Sequence, residues 1–130
     1  LKTTWHCEDI HEFETTQKMD LVLCTHSFPY YKDQKYVLSK LSGMLNPDGK
    51  LLIAFASKNS FYDALCMAVV KMTTGKAIYP SVTEFITIAS QAFKPLTTTR
   101  IKEKWYMPSI YLFEMELKHD KCIIDKTETA

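Results

Sequence analysis

Residues 20–33, with the sequence DLVLCTHSFPYYKD, begin as a strand and end in a cluster of polar and aromatic side chains. The apolar run from Leu21 to Cys24 has no polar alternation, which is typical of a strand covered on both faces of a parallel sheet. We therefore predict a buried strand over residues 19–24. Because open α/β sheets bind ligands beyond the carboxyl ends of their strands, the residues after Cys24 are candidates for a site.

The composition indicates one soluble globular unit. The chain has 130 residues, of which 46% are hydrophobic and 24% charged, and its net charge is +1 with scattered lysines. This pattern argues against nucleic acid and acidic lipid as partners, and no apolar run is long enough to span a membrane. Cys7, Cys24, Cys66 and Cys122 lie far apart without paired spacing, which favours a reducing compartment and a cytoplasmic location.

A strand, a helix and a second strand follow one another over residues 19–56. The helix is predicted by apolar residues that share one helical face: Val37, Leu38, Leu41, Met44 and Leu45. It ends at the turn signal 46–49. The apolar run 51–56 predicts the second strand. The two strands should be parallel and joined by a right-handed crossover.

Two further helices carry start signals. Ser60 begins one that Gly75 closes, and Ser81 with Glu84 forms a capping box for the other. Their predicted apolar residues are Phe61, Leu65, Ala68, Val69 and Met72 in the first, and Phe85, Ile88, Ala89 and Ala92 in the second. We expect Phe61 to be core and its neighbour Tyr62 to be exposed.

The two ends of the chain differ in character. Residues 3–7 favour a strand, and since no element precedes them, the chain looks cut inside a larger domain. Strands predicted around 98–106 and 110–117 are separated only by a short turn at Pro108, so they should form an antiparallel hairpin. Residues 119–130 are polar enough to be a tail.

This order of elements predicts an α/β sheet, mostly parallel, with an antiparallel terminal hairpin. The carboxyl ends of its strands would place the segments 7–11, 25–31 and 57–62 on one rim.

The chain resembles the second half of the class I S-adenosylmethionine-dependent methyltransferases. Residues 45–53, LNPDGKLLI, are similar to the family's turn into its fifth strand, residues 18–24 to its fourth strand, and Glu8-Asp9-Ile10 to the segment that meets the adenine. The resemblance implies a Rossmann-like methyltransferase sheet over residues 1–118, with residues 119–130 as the tail. It also implies S-adenosylmethionine as the cofactor and a small molecule as the methyl acceptor.

A narrower resemblance is to the histamine N-methyltransferases, through the pattern that begins at Trp5-His6 and through Asp20, Tyr30, Lys32 and Asp33. It implies an amine related to histamine as the acceptor. By this resemblance Ile10 and Thr25 lie at cofactor-contacting positions, beside Glu8 and Asp9, and His26 and Tyr30 at substrate-contacting positions.

The family's glycine loop is missing from the chain. Its glycines, Gly43, Gly49 and Gly75, form no acidic-x-Gly-x-Gly motif, whose lack of side chains lets the backbone approach the cofactor. We therefore expect the N-terminal half of the same domain to be the partner that supplies this loop. The chain alone should not hold the cofactor.

Methyl transfer demands mainly positioning and exclusion of water. With an amine acceptor, His26 is the candidate catalytic base, because an imidazole takes up a proton near neutral pH. Phe28, Tyr30 and Tyr31 are candidates to wall the substrate and to attract a cation through their ring faces.

Each assignment has a structural alternative. Asp9 is an ordinary cap in one interpretation, His26 a structural histidine, and the Tyr30-Tyr31 pair a packing element over the following helix. Cys7 and His11 have the i, i+4 spacing of metal ligands, but no second pair supports a metal.

Three interpretations of function follow. The chain is part of a small-molecule methyltransferase, a non-catalytic relative or isoform that acts as an interaction module, or a different α/β protein such as a nucleotide-binding module. The absence of a phosphate-cradling glycine loop argues against the third.

Overall fold

The computed structural model describes residues 2–58, 60–102 and 104–119. The strands are β1 (Met19–Thr25), β2 (Leu45–Ala56), β3 (Phe93–Ile101) and β4 (Ile110–Leu117). The helices are α1 (Gln34–Met44), α2 (Phe61–Thr74) and α3 (Val82–Ala89), and a 3-10 helix spans Phe28–Tyr30. No helix among these residues is long and apolar enough to cross a bilayer.

The strands form one sheet in the order β1-β2-β4-β3. β1 pairs with β2 in parallel, whereas β4 is antiparallel to both of its neighbours. Three strands therefore run in one direction and β4 runs against them. The mixed α/β sheet, the parallel β1–β2 pair and the terminal hairpin are confirmed.

An aromatic cluster lies at the centre of the core. Phe85 of α3 packs with its ring centroid 4.4 Å from Phe113 of β4, 5.0 Å from Phe55 of β2 and 5.1 Å from Phe28 of the 3-10 helix. All four rings are fully buried. Burial of a phenylalanine contributes about 1.5–3 kcal/mol, so this cluster fastens α3 and the 3-10 helix to one face of the sheet.

The predicted face of α1 is confirmed. Asp33 caps the helix by accepting a hydrogen bond from the Tyr36 backbone N–H at 2.9 Å. The apolar side chains of the helix and of the residue after it are buried: Val37, Leu38, Leu41, Met44 and Leu45.

The turn signal at residues 46–49 lies inside β2, which is a correction to the predicted start of that strand. Met19 pairs with Leu45 and Leu21 pairs with Lys50, so two steps along β1 correspond to five along β2. The extra residues bulge out of the ladder. The turn chemistry is therefore present, but as an irregularity within a longer strand.

β1 is covered on one face only, so the prediction of a strand buried on both faces is wrong for this chain. Cys24 is buried and Val22 half-buried on the core side, whereas Leu21 and Leu23 on the opposite face are 54% and 63% exposed. Alternate residues of a strand point to opposite faces, and nothing among the described residues covers the second face.

The predicted opening strand is also wrong. Residues 2–18 contain no strand, and the Asp9 carbonyl accepts hydrogen bonds from the N–H groups of Glu12 and Phe13, both at 2.9 Å. A strand needs a partner for its backbone groups. This segment finds none in the described chain and turns instead.

α2 begins and ends as predicted but buries a different face. Ser60 caps it and Gly75 follows its last turn with a positive φ of 80°. Phe61 is 89% exposed and is not a core residue as we expected, while Tyr62 is 37% exposed. The rest of the predicted stripe, Leu65, Ala68, Val69 and Met72, is exposed as well.

The capping box of α3 is confirmed. The Ser81 hydroxyl accepts from the Glu84 N–H, and the Glu84 carboxylate accepts from the Ser81 N–H at 2.7 Å. β3 begins and ends about five residues before the predicted strand. Of the predicted tail, 119–130, only His119 is among the described residues; residues 120–130 lie outside them.

Candidate functional site

A broad cleft lies between the segment before β1 and the end of the 3-10 helix. Its volume is about 830 Å³, and its lining comes from residues 6, 8–13 and 30–32. Two of the predicted rim segments, 7–11 and 25–31, thus contribute to one cleft. Of the third segment, none of the described residues, 57–58 and 60–62, lines it.

Asp9 holds the turn that forms one wall of the cleft. Its carboxylate oxygen accepts a hydrogen bond from the His11 backbone N–H at 2.9 Å and lies 2.7 Å from His11 Nδ1. The hydrogen bond from the His11 backbone lowers the pKa of Asp9 most, and the contact with the His11 side chain lowers it further. The carboxylate therefore caps a turn, whereas the structural alternative had it capping a helix, and no helix directly follows Asp9.

Glu8 and Ile10 flank Asp9 and have different surroundings. The Glu8 carboxylate is about half-exposed, with His6 Nδ1 at 3.8 Å. Ile10, like Phe13, is half-buried and packs against the core. This wall of the cleft thus combines an apolar floor with an accessible carboxylate.

The opposite wall is built by two tyrosines with different freedom. Tyr31 is half-buried and donates its hydroxyl hydrogen to Ser27 Oγ at 3.2 Å. Burial raises the pKa of Tyr31 and also that of Cys24. The Cys24 sulfur lies 3.1 Å from the Ser27 hydroxyl oxygen. Tyr31 is therefore a fixed, neutral group, whereas Tyr30 is 52% exposed.

A second cavity, of about 230 Å³, lies on the other side of Tyr30. His26 lines this cavity and not the larger cleft, while Tyr30 lines both. His26 directly follows β1 with a positive φ of 57°, and its N–H donates to the Ala54 carbonyl at 2.7 Å. A positive φ is uncommon outside glycine, and histidine, asparagine and aspartate adopt it more often than other residues.

The predicted site residues are therefore divided. The larger cleft brings together Glu8, Asp9, Ile10, Tyr30 and Tyr31. Thr25 is exposed at the end of β1 and lines neither cavity. Phe28 is fully buried in the aromatic cluster, so its ring packs the core behind the site and walls neither cavity.

A buried polar cluster was missed by the sequence analysis. The Asp63 carboxylate, 1% exposed, accepts from the Ser109 N–H at 3.1 Å, and Arg100 Nε donates to Ser109 Oγ at 2.9 Å. The Ser57 hydroxyl donates to the Pro80 carbonyl at 2.8 Å. The Asp63 contact fastens α2 to the residue before β4, the Arg100 contact ties β3 to the same residue, and the Ser57 contact joins the end of β2 to the segment before α3. The acidic residue in the first turn of α2 was the available signal.

Gln34 is a second residue that was missed. Its side-chain amide is buried and donates to the Ile78 carbonyl at 2.9 Å, while the Ile78 N–H donates to the Pro29 carbonyl at 2.7 Å. The segment after α2 is thereby tied to the 3-10 helix beside the second cavity. As for metals, the part of the chain that the structure describes has no group of three or more His, Cys, Asp or Glu side chains placed to hold an ion.

Comparisons of the sequence with known proteins find similarity to methyltransferases. A family model described as "Methyltransferase domain" matches residues 1–53. The malonyl-[acyl-carrier protein] O-methyltransferase of Anoxybacillus flavithermus is 26% identical over 127 residues, which cover 89% of this chain and 46% of that protein.

Solved structures show the same fold. The N-methyltransferase NodS from Bradyrhizobium japonicum, in complex with S-adenosyl-L-homocysteine, matches with a TM-score of 0.70 at 19% identity. The matched region covers 89% of this chain and 55% of the NodS chain. The magnesium protoporphyrin IX methyltransferase ChlM from Synechocystis, also with S-adenosyl-L-homocysteine bound, matches with a TM-score of 0.62 at 13% identity. The matched region covers 86% of this chain and 49% of the ChlM chain. The chain spans about half the length of these relatives.

Proposed function

We propose that this chain belongs to the class I S-adenosylmethionine-dependent methyltransferases and is the C-terminal part of an enzyme that transfers a methyl group from S-adenosylmethionine to a small molecule. The observation that carries the proposal is the larger cleft. It joins the acidic-apolar segment 8–10 to Tyr30 and Tyr31 at the carboxyl end of β1. Open α/β sheets bind their ligands at such an edge.

The residues of this cleft fit the cofactor. Adenine is a flat ring with an exocyclic amino group, so it is matched by the apolar floor of Ile10 and Phe13 together with a carboxylate that accepts hydrogen bonds. Glu8 is the better candidate for that carboxylate, because Asp9 is engaged by His11. The tyrosine faces opposite are suited to the positive sulfonium.

The bound cofactor would supply a methyl group already activated by its sulfonium, so the protein has mainly to position the acceptor. Tyr31 is held by Ser27 and gives a rigid wall, while Tyr30 lines both the larger cleft and the second cavity. We assign His26 as the group that takes the proton from an amine acceptor. It lines the second cavity beside Tyr30, which also lines the larger cleft, and this position supports the role.

The chemical identity of the methyl acceptor is a more specific proposal. An amine related to histamine is suggested by the sequence pattern at Trp5-His6 and by Asp20, Tyr30 and Lys32 alone. The relatives above are named for both N- and O-methyl transfer, so a panel of amines and hydroxyl compounds is the appropriate test.

We further propose that the N-terminal half of the same domain completes the site. Leu21 and Leu23 expose an apolar surface on β1, and the edge of β1 that faces away from β2 has no partner among the described strands. An uncovered edge of this kind requires a cover. The N-terminal half of the domain would cover this edge and would also bring the glycine loop that this sequence lacks.

The test is a calorimetric titration of S-adenosylmethionine into the natural full-length protein, with the 130-residue chain alongside. We expect binding to the full-length protein and none to the chain alone. Glu8→Gln should weaken binding, whereas Glu14→Gln, whose side chain is 84% exposed and does not line the cleft, should not. Absence of binding to both proteins would refute the proposal and favour the interaction module, which the exposed apolar surface of β1 also suits.

A further inference from the structure

The second cavity has a lining of its own, distinct from the acidic cleft. α2 contributes Met67, the segment after it Tyr79, and the β3–β4 connection Met107, while Ile110 at the start of β4 closes one side. His26 and Tyr30 form the side that faces the larger cleft. The described lining contains no acidic side chain.

The walls of this cavity are held apart by contacts outside it. Asp63 fastens the first turn of α2 to Ser109, and Gln34 fastens the segment after α2 to the 3-10 helix through Ile78. These are hydrogen bonds of buried groups, which are costly to break. The cavity is therefore preformed and does not depend on a ligand to open it.

We propose that this cavity receives a ring-sized apolar group of the methyl acceptor. Its volume of about 230 Å³ exceeds the about 150 Å³ of a dry apolar cavity that binds benzene. A charged ammonium would find no carboxylate here, and an unpaired buried charge is strongly unfavourable. The inference rests on the proposed function and deepens it: the acceptor places its apolar part against Met67 and Met107, and its reactive end at Tyr30 and His26.

Methionine is suited to such a wall because its unbranched, polarisable side chain adapts to flat rings. α2 also offers an internal comparison. Met67 is 7% exposed and lines the cavity, whereas Met72, five positions further along the helix, is 88% exposed.

The experiment uses indole, a flat apolar ring system, as the probe. The natural full-length protein is labelled with ¹³C at its methionine methyl groups, and the signals are assigned with single Met→Leu variants. Indole should shift the signals of Met67 and Met107 along one saturable curve and leave Met72 unchanged. The absence of a saturable shift, or an equal shift of Met72, would overturn the inference.

Variants sharpen the result. Met67→Trp fills the cavity and should weaken indole binding about tenfold or more, while Met72→Trp should leave it unchanged. A folded Met67→Trp protein with unchanged affinity would contradict the proposal. Where circular dichroism shows that this variant does not fold, the methyl shifts of the unaltered protein decide.

A parallel titration with S-adenosylmethionine separates this inference from the proposed function. Cofactor binding without an indole response would overturn the cavity's role and leave the methyltransferase proposal standing. An indole response without cofactor binding would overturn the methyltransferase proposal, and with it the role of the cavity in holding an acceptor.

Discussion

Gly49→Ala should destabilise the protein. A Cβ atom at this position would lie 2.9 Å from the Met19 carbonyl oxygen, 3.0 Å from the Asn46 carbonyl oxygen and 3.0 Å from a Leu45 methyl group. Two of these neighbours are backbone atoms at the irregular junction of β1 and β2, so they can move only if the strand pairing shifts. Overpacking costs about 1–3 kcal/mol, and the lower unfolded-state entropy of alanine offsets about 0.4–1 kcal/mol of this. The midpoints of these two ranges leave a net loss of about 1.3 kcal/mol.

Gly43→Ala is the matched control, with the opposite sign expected. Gly43 lies in the last turn of α1, and a Cβ there would have nothing within 4 Å. Glycine inside a helix is less stable than alanine by about 0.5–1 kcal/mol. This substitution should therefore stabilise the protein by about that amount.

Urea unfolding followed by circular dichroism measures both changes in the natural full-length protein. The midpoint should fall for Gly49→Ala and rise for Gly43→Ala, with the dependence on urea concentration unchanged. If the Gly49→Ala protein is as stable as the parent, or is stabilised as much as the Gly43→Ala protein, the close packing at this junction is refuted.

Three further predictions concern the polar contacts. Asp63→Ala removes the acceptor of the buried Ser109 N–H and should lower the free energy of unfolding by about 1–3 kcal/mol; exposed Asp48→Ala should change it little in the same urea assay. Ser81→Ala removes the cap of α3 and should cost about 1 kcal/mol, and an unchanged urea midpoint would contradict this role. The hydrogen bond from the Ser81 backbone N–H is the largest cause of the lowered pKa of Glu84. The contribution of Glu84 to stability is therefore complete above the carboxyl's ordinary pKa of about 4.3, and it is lost as the pH falls through the lowered value. Thermal unfolding measured down to about pH 3 should show a smaller acid loss for Glu84→Gln, and an equal loss would refute the assignment.

Local sequence patterns were sufficient for the elements whose signals are local. The helical spacing from Val37 to Met44, the capping box of Ser81 and Glu84 and the apolar run in β2 each act within a few residues. The structure has each of these signals in the predicted element, although β2 begins earlier than predicted, at Leu45. The predicted segment Glu8-Asp9-Ile10 also lies at the larger cleft with Tyr30 and Tyr31.

Contacts between distant residues decided the remainder. Asp63 accepts from Ser109, 46 positions away, and this contact turns that face of α2 inward while Phe61 stays exposed. Likewise β3 takes its bounds from pairing with β4.

The sequence by itself thus determined the order and type of the main elements, because periodicity, caps and apolar runs depend on neighbours along the chain. Only the tertiary structure decided which face of α2 is buried, that Phe28 belongs to the core, and that Tyr30 stands between two cavities. These outcomes depend on partners brought together by the sheet, and no local pattern contains the position of such a partner.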